Sequence, residues 1–313
     1  MNAPINPSPF HDGEMLAHVA AGTGTPGAAI REKMPDQYRQ FFSSLRFAML
    51  ATTDNDGWPV ATIVTGPQGF ITSDDPQSLK IAATAHWQKS FIPLLTADNA
   101  IGMLGIEFST RRRNRANGHV KIFDQDGLHV HVAQSFGNCP KYIQARDVSN
   151  EIDNLPVSSR EFFTDVNDEA KWMIRNADTF FVATASGNEA MNGSGVDISH
   201  RGGMPGFIRI DGNTLTIPDF VGNRYFNTLG NMLVEPRAAL LFIDFITGDL
   251  LHLQGRTEVV WQSKEASDLA GAERLWRFHI TSGWKKSHAI PLQWTLREMA
   301  PTTKATGVWA QAN

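Results

Sequence analysis

The chain has little cysteine, little tyrosine and no long apolar run. Cys139 is its one cysteine in 313 residues, which excludes an internal disulfide framework and a thiolate zinc cluster. Phenylalanine outnumbers tyrosine by 19 to 3, a balance that favours dry cores over surfaces for stacking nucleic-acid bases. No stretch is long and apolar enough to span a bilayer, and the N-terminal residues lack a signal-peptide pattern. These absences predict a cytoplasmic protein that binds neither membrane nor nucleic acid.

Charge is sparse and nearly balanced. Charged residues make up 19% of the chain and hydrophobic residues 42%, with a formal net charge of −4. This composition is typical of a globular protein. Histidines and carboxylates show no metal-binding spacing, so no metal is expected. One dense basic run, Arg111–Arg115, is either a solvated strand or a surface that attracts an anionic cofactor, NAD(P)H or an electron-transfer protein.

The second half of the chain repeats the first. The sequence GFI at residues 69–71 recurs at 206–208, and IEF at 106–108 recurs as IDF at 243–245, each 137 residues later. A constant offset without gaps favours an internal duplication. Each copy holds many short strand-like runs and few helices, which predicts a small β-barrel rather than a parallel doubly wound sheet.

The duplication predicts three parts of the chain. Residues 1–40 form an N-terminal arm with a helix that begins near Asp12, and a further helix begins at Pro35. Residues 41–150 form the first barrel unit, and residues 151–313 form the second. The segment between the copies is predicted to hold two helices, at residues 158–167 and 169–177.

Polar residues concentrate on one connection between strands of the second copy. The sequence PDFVGNRYFNTLGNML, residues 218–233, passes from a strand into a short helix, whose first backbone N–H groups can bind phosphate. Arg224 adds charged, planar donors, and Asn223, Asn227 and Asn231 add amides. The alternative is that these residues serve only as turn and cap residues.

A second polar stretch, VDISHRGG at residues 196–203, ends a predicted strand with Ser199, His200 and Arg201. These three side chains supply hydrogen-bond donors, and the two glycines that follow supply a flexible corner, a combination typical of an anion-binding site. If Arg201 met Arg224 at one corner, an anion or carboxylate would have to lie between them; otherwise they are unrelated surface arginines. The first copy has AHWQ, residues 85–88, in place of GNRY, so one phosphate-binding corner is predicted for the chain.

Residues 178–260 resemble the pyridoxamine 5′-phosphate oxidase-like, FMN-binding split-barrel family. The resemblance rests on the SHRGG corner, the GNR corner, a short helix that ends in Glu-Pro, and a long apolar strand. It implies a mainly β fold with short helices, in which two tandem split β-barrels form a pseudo-dimer. It also implies FMN as cofactor, oxidoreductase chemistry on a small molecule, and either a homodimer or an internal pseudo-dimer.

The resemblance also bears on individual residues. Thr228 stands where the true oxidases have a phosphate-binding lysine, and the C-terminal Arg-x-His signature is missing, which argues against vitamin B6 oxidation. A non-catalytic carrier or sensor of flavin or haem, or an electron-transfer module, is the alternative. The predicted cofactor-binding residues are Ser199, His200, Arg201, Asn223, Arg224, Asn227, Thr228 and Asn231, with Gln134 and Ser135 from the first copy.

Other reactive residues lack supporting neighbours in the sequence. Cys139 precedes a proline at a predicted helix start, but no base lies beside it. The sequence HDGE at residues 11–14 joins two carboxylates to a histidine but falls in the N-terminal arm. No catalytic acid, base or nucleophile is therefore predicted.

Overall fold

A computed structural model describes residues 9–25, 27, 29–187 and 195–310. The first antiparallel sheet has the strand order β2-β1-β5-β6-β7-β4-β3. Its strands are β1 (Phe47–Thr53), β2 (Pro59–Thr65), β3 (Ile71–Thr72), β4 (Ser78–Ala82), β5 (Ala100–Glu107), β6 (Arg112–Asp124) and β7 (Gly127–Gly137).

The second sheet has the order β11-β10-β14-β15-β16-β13-β12, with β9 added beside β16, and β8 and β17 form a separate pair. These strands are β8 (Ala145–Glu151), β9 (Glu161–Phe163), β10 (Thr179–Ala185), β11 (Val196–Gly202), β12 (Arg209–Asp211), β13 (Thr214–Phe220), β14 (Arg237–Ile243), β15 (Leu250–Val260), β16 (Ala272–Lys286) and β17 (Leu292–Glu298).

Short helices connect or flank the sheets. They are α1 (Asp12–Ala20), α2 (Asp36–Ser44), α3 (Asp168–Asn176), α4 (Asn227–Val234), α5 (Lys264–Asp268) and α6 (Pro301–Lys304), with one 3₁₀ turn at Ile92–Leu94. No helix in the described part of the chain has the length and apolar character needed to cross a membrane.

The two large sheets repeat one topology. Each strand of the first sheet has a counterpart in the second at the same place in the order, and β5 and β14 begin at Ala100 and Arg237, the offset seen in the sequence. Neither sheet closes on itself. The prediction of a mainly β protein built from two tandem split-barrel units is confirmed.

Apolar packing joins the two units. One core lies within each unit, and a third lies between them, where Met49, Ile63 and Leu104 of the first sheet meet Phe181 and Leu241 of the second. All five side chains are fully buried. Because burial of this kind stabilises by about 25 cal/mol per Å² of apolar surface, the pairing of units is an integral part of the fold, as in a pseudo-dimer.

The segment at residues 158–167 corrects the sequence prediction. The sequence predicts a helix here, but the segment contains the short strand β9, which pairs with β16. Phe163 lies opposite Gly283, where a Cβ would come within 2.6 Å of the phenylalanine ring. Gly283 makes room for this ring, and it lies far from Phe163 in the sequence. The second predicted helix forms as α3.

A buried histidine also links the units. The backbone N–H of Ala61 donates to Nε2 of His252 at 3.2 Å, and the imidazole stacks on Trp284 with 5.1 Å between ring centroids. Burial lowers the pKa of His252 from 6.5 to about 3. The imidazole therefore remains neutral in the folded protein at pH values where the unfolded chain takes up a proton.

We expect acid to destabilise the protein through His252. Its folded pKa lies below the unfolded value, so its contribution is complete above pH 6.5 and is lost as the pH falls towards 3. The difference in unfolding free energy between wild type and His252→Gln should shrink by about 3 kcal/mol between about pH 7 and pH 4. Urea denaturation at each pH measures it. A constant difference would contradict the assignment.

Candidate functional site

A small cationic cavity lies where α4 begins. Its volume is about 60 Å³, which suits one phosphate group, and four arginines, two carboxylates and two hydroxyl groups line it. These residues are Arg115, Arg201, Arg224, Arg274, Asp219, Glu273, Ser199 and Thr228. The fold thus brings Arg201 and Arg224 to one cavity, although they belong to separate sequence motifs, SHRGG and GNR.

The start of α4 leaves backbone donors available. Its N-cap residue, Phe226, has a φ of 58°, Arg224 has a φ of 60°, and no side chain in the described parts of the chain caps the helix. The first N–H groups of a helix need partners from outside it. An anion in the cavity would satisfy them and gain from the helix dipole.

Strand alternation separates the residues of β11. Ser199 and Arg201 line the cavity, whereas His200 lies on the opposite face, with its ring 5.8 Å from that of Phe181. Burial, together with the charge of Arg113 3.4 Å away, lowers the pKa of His200 well below its usual value. The imidazole is neutral and adds no charge to the cavity.

Arg115 connects the first unit to the cavity. Its Nη1 donates to both carboxylate oxygens of Asp197, at 2.8 and 2.9 Å, and to Oδ1 of Asn227 at 3.1 Å. Its Nη2 donates to the hydroxyl of Ser199, which also accepts a hydrogen bond from Thr228 at 2.7 Å. Because Arg115 lies on β6 and its partners on β11 and α4, both units build the site.

Carboxylates separate the other arginines. Asp219 accepts from Nη1 of Arg274 at 2.7 Å and lies 3.7 Å from Nη2 of Arg201. Glu273 lies 3.6 Å from Nη2 of Arg224, whose side chain is 51% exposed. Carboxylates therefore lie beside both arginines, as the sequence analysis expects if Arg201 and Arg224 meet at one corner.

The remaining predicted residues have other positions. Asn223 lines the cavity, and its Oδ1 accepts from the N–H of Tyr225 at 3.1 Å. Asn231 donates to Thr184 at 2.9 Å and, with Gln134, lines a second pocket. Ser135 is fully buried, and its hydroxyl donates to the carbonyl of Arg115 at 3.1 Å. Ser135 therefore supports Arg115 and lines neither pocket.

The second pocket has a volume of about 240 Å³ and shares Asn227 with the cavity. Two of its walls come from His11 and Glu14, at the start of α1. The N–H of His11 donates to Glu14 at 2.9 Å and that of Gly13 to Nδ1 of His11 at 3.1 Å, which forms a capping box. The helix predicted to begin near Asp12 therefore forms as α1, and its first turn borders this pocket.

The arginine run does not form one solvated face. Arg111 donates to the carbonyl of Ile143, and Arg113 to the carbonyl of Cys139 at 2.9 Å, while Arg112 is exposed. Arg113 and Arg115 both point inward, as strand alternation predicts. The helix expected after Cys139 does not form.

The corresponding corner of the first unit is occupied by protein contacts. His86 and Gln88 both bond to the carbonyl of Ala289, at 2.9 and 2.6 Å. Trp87, which replaces the arginine, donates to the carbonyl of Ala82 at 3.2 Å. These bonds use the polar groups that an anion would need.

The duplicated topology, with two open sheets packed through an apolar interface, defines a tandem split-barrel protein. The family model for pyridoxamine 5′-phosphate oxidase matches residues 34–153 and 166–293, which together make up most of the chain. The chain therefore belongs to this family. Within the described residues, no group of three or more His, Cys, Asp or Glu side chains could hold a metal ion.

Two solved structures that resemble this chain each match less than half of its length. HupZ from Group A Streptococcus is 14% identical, with 37% of this chain and 89% of that chain covered and a TM-score of 0.30. An FAD-binding protein from Mesorhizobium loti is 10% identical, with 41% and 97% covered and a TM-score of 0.27. A search of curated proteins finds no significant match.

Proposed function

We propose that this chain is an FMN-dependent oxidoreductase that acts on a small molecule and binds the FMN phosphate in the cationic cavity. The observation that supports this proposal is the cavity itself. Four arginines and two carboxylates line it, and it lies beside the uncapped start of α4. Because Arg115 is paired with Asp197, the other three arginines and the two carboxylates leave an excess of one positive charge, which suits an anionic phosphate. When bound, FMN supplies the hydride or electron transfer.

The residues present fit a phosphate group. Nε of Arg201 is buried and has no hydrogen-bond partner among the described residues, so a bound oxygen would satisfy it. The hydroxyl of Thr228 donates to Ser199, whose own hydroxyl donates to Asp197 at 3.1 Å, so these two groups shape the wall, and Arg224 closes the rim. Arg115 and Arg274 are held by carboxylates, so they position the walls and add positive potential.

The visible spectrum of freshly purified protein, followed by titration with FMN, tests the proposal. We expect a flavin absorption band or saturable binding in the micromolar range. The absence of both would refute it. Steady-state oxidation of NAD(P)H with flavin and an electron acceptor then distinguishes an oxidoreductase from a carrier, because a carrier binds FMN without turnover.

Arg224→Ala should weaken FMN binding by about 1–2 kcal/mol, at the lower end for a charge-assisted contact. The effect is moderate because this side chain is half-exposed and shares its charge with Glu273. Isothermal titration with FMN measures it. Arg112→Ala, which removes an exposed arginine that does not line the cavity, is the matched control and should leave the affinity unchanged. Equal effects of the two substitutions would mean that Arg224 acts only through overall charge.

A further inference from the structure

The second pocket has a chemistry unlike that of the cationic cavity. Its walls carry the amides of Asn117, Gln134, Asn227 and Asn231, together with His11, Glu14, His119 and Asp197. We call it the amide pocket. Since Asp197 is ion-paired with Arg115, and burial lowers the pKa of His11, the amide pocket is close to neutral. It therefore suits an uncharged polar group next to the phosphate site.

Glu14 is the unusual wall residue. It is 4% exposed, and its carboxyl group accepts from the N–H of His11 and from the amide of Asn227. The charged or titratable groups that face it are His11, the N-cap residue of α1, Arg115 on β6 and Asp197 on β11. Burial raises the pKa of Glu14 to about 7, so near neutral pH much of the protein carries a protonated carboxyl there.

Two polar atoms of the amide pocket lack partners. Nε2 of His11, on a residue that is 3% exposed, and Oδ1 of Asn117 make no hydrogen bond within the described residues. Nε2 of His11 lies 3.8 Å from Glu14, too far for a hydrogen bond. Buried polar atoms normally have partners, so a ligand with both donors and acceptors would complete this wall.

Close backbone contact fixes α1 in place. A Cβ on Gly230 of α4 would lie 2.7 Å from Cα of Glu14, and a Cβ on Gly13 would lie 2.3 Å from the carbonyl oxygen of Gly230. Two glycines therefore allow the helices to touch. This contact carries Glu14 to the pocket, although α1 lies outside both segments that match the family model.

We infer that α1 is part of the ligand site and that Glu14 donates a hydrogen bond from its protonated carboxyl group to the ring of the bound cofactor. The ligand class is a neutral nitrogen heterocycle with neighbouring carbonyl and N–H groups, which the amides and His11 complement. The flavin ring is such a heterocycle. The inference rests on the proposed function, and it adds a residue that positions the ring and responds to pH.

Binding of three probes tests this inference: FMN, riboflavin, which lacks the phosphate, and inorganic phosphate. Glu14→Ala should weaken FMN and riboflavin binding by about tenfold, the loss of one hydrogen bond to a buried partner, and leave phosphate binding unchanged. Glu14→Gln keeps a donor, and its amide oxygen can accept from the N–H of His11 but not also from Asn227, so it should restore part of the affinity. Arg201→Ala should show the reverse pattern, with weaker FMN and phosphate binding and unchanged riboflavin binding.

The pH dependence gives a second readout. Riboflavin affinity of the wild type should fall as the pH rises from about 6 to 8.5, because the carboxyl loses its proton, and Glu14→Gln should remove this dependence. Flavin binding by the wild type that does not depend on pH, or Glu14→Ala weakening phosphate binding as much as riboflavin binding, would overturn the inference alone. If the wild type binds neither FMN nor riboflavin, the proposed function fails and this inference fails with it.

Discussion

Replacement of Arg115 by alanine is expected to lower the free energy of unfolding by about 3–5 kcal/mol, the usual cost of removing one partner from a buried ion pair. Asp197 is 4% exposed and would lose the two Nη1 contacts that now balance its charge. The hydroxyl of Ser199 and the amide of Asn227 would lose a donor as well. Urea denaturation of the purified variant, monitored by tryptophan fluorescence, measures the loss.

Two variants distinguish the loss of the Arg115–Asp197 ion pair from non-specific destabilisation of the fold. Arg115→Ala combined with Asp197→Ala removes both charges, and should be more stable than Arg115→Ala alone because no uncompensated charge remains buried. Arg112→Ala, on the same strand, removes an exposed arginine that lies over the ring of Phe41, and should change stability by no more than about 1 kcal/mol. The loss of stability in the double variant is compared with the sum of the losses in Arg115→Ala and Asp197→Ala. Equality would show that the pair contributes no coupling across the units.

Replacement of Arg201 by alanine is expected to weaken FMN binding by about 2–3 kcal/mol, roughly 30- to 150-fold in Kd. The side chain is 25% exposed, its Nε is buried without a partner among the described residues, and its distance to Asp219 is 3.7 Å. It therefore has donors to give to a phosphate. Fluorescence titration of FMN measures the change in Kd.

The stability of the apo protein should change little in Arg201→Ala, because Asp219 retains its 2.7 Å contact with Arg274. Arg201→Lys is the matched variant: it keeps the charge and loses the planar pair of donors, so it should recover part of the affinity. An unchanged Kd in Arg201→Ala would mean that the phosphate binds elsewhere.

Local patterns predicted much of the second unit. The duplication, the strands on either side of the GNR corner and the start of the short helix α4 all follow from a constant offset and from alternation within the chain. The opposite orientation of His200 and Arg201 was also available from the two-residue period of a strand.

Partners far apart in sequence could not be predicted in this way. Glu14 and Asn227 are 213 residues apart, and Arg115 and Asp197 are 82 apart. Their contacts depend on the packing of α1 against α4 and of one sheet against the other, which no local period encodes. The same holds for Gly283, whose missing side chain allows Phe163 to lie against β16 in a strand where the local sequence favoured a helix.

The two corners of this protein differ because one polypeptide contains both units. In a dimer of identical chains, a substitution at one corner appears at the other by symmetry. Here His86 and Gln88 fill the first corner while Arg224 stays at the second. Gene duplication thus released each half from the constraints on its twin, and the tether keeps the composite site assembled at any dilution, since its halves meet at a fixed effective concentration.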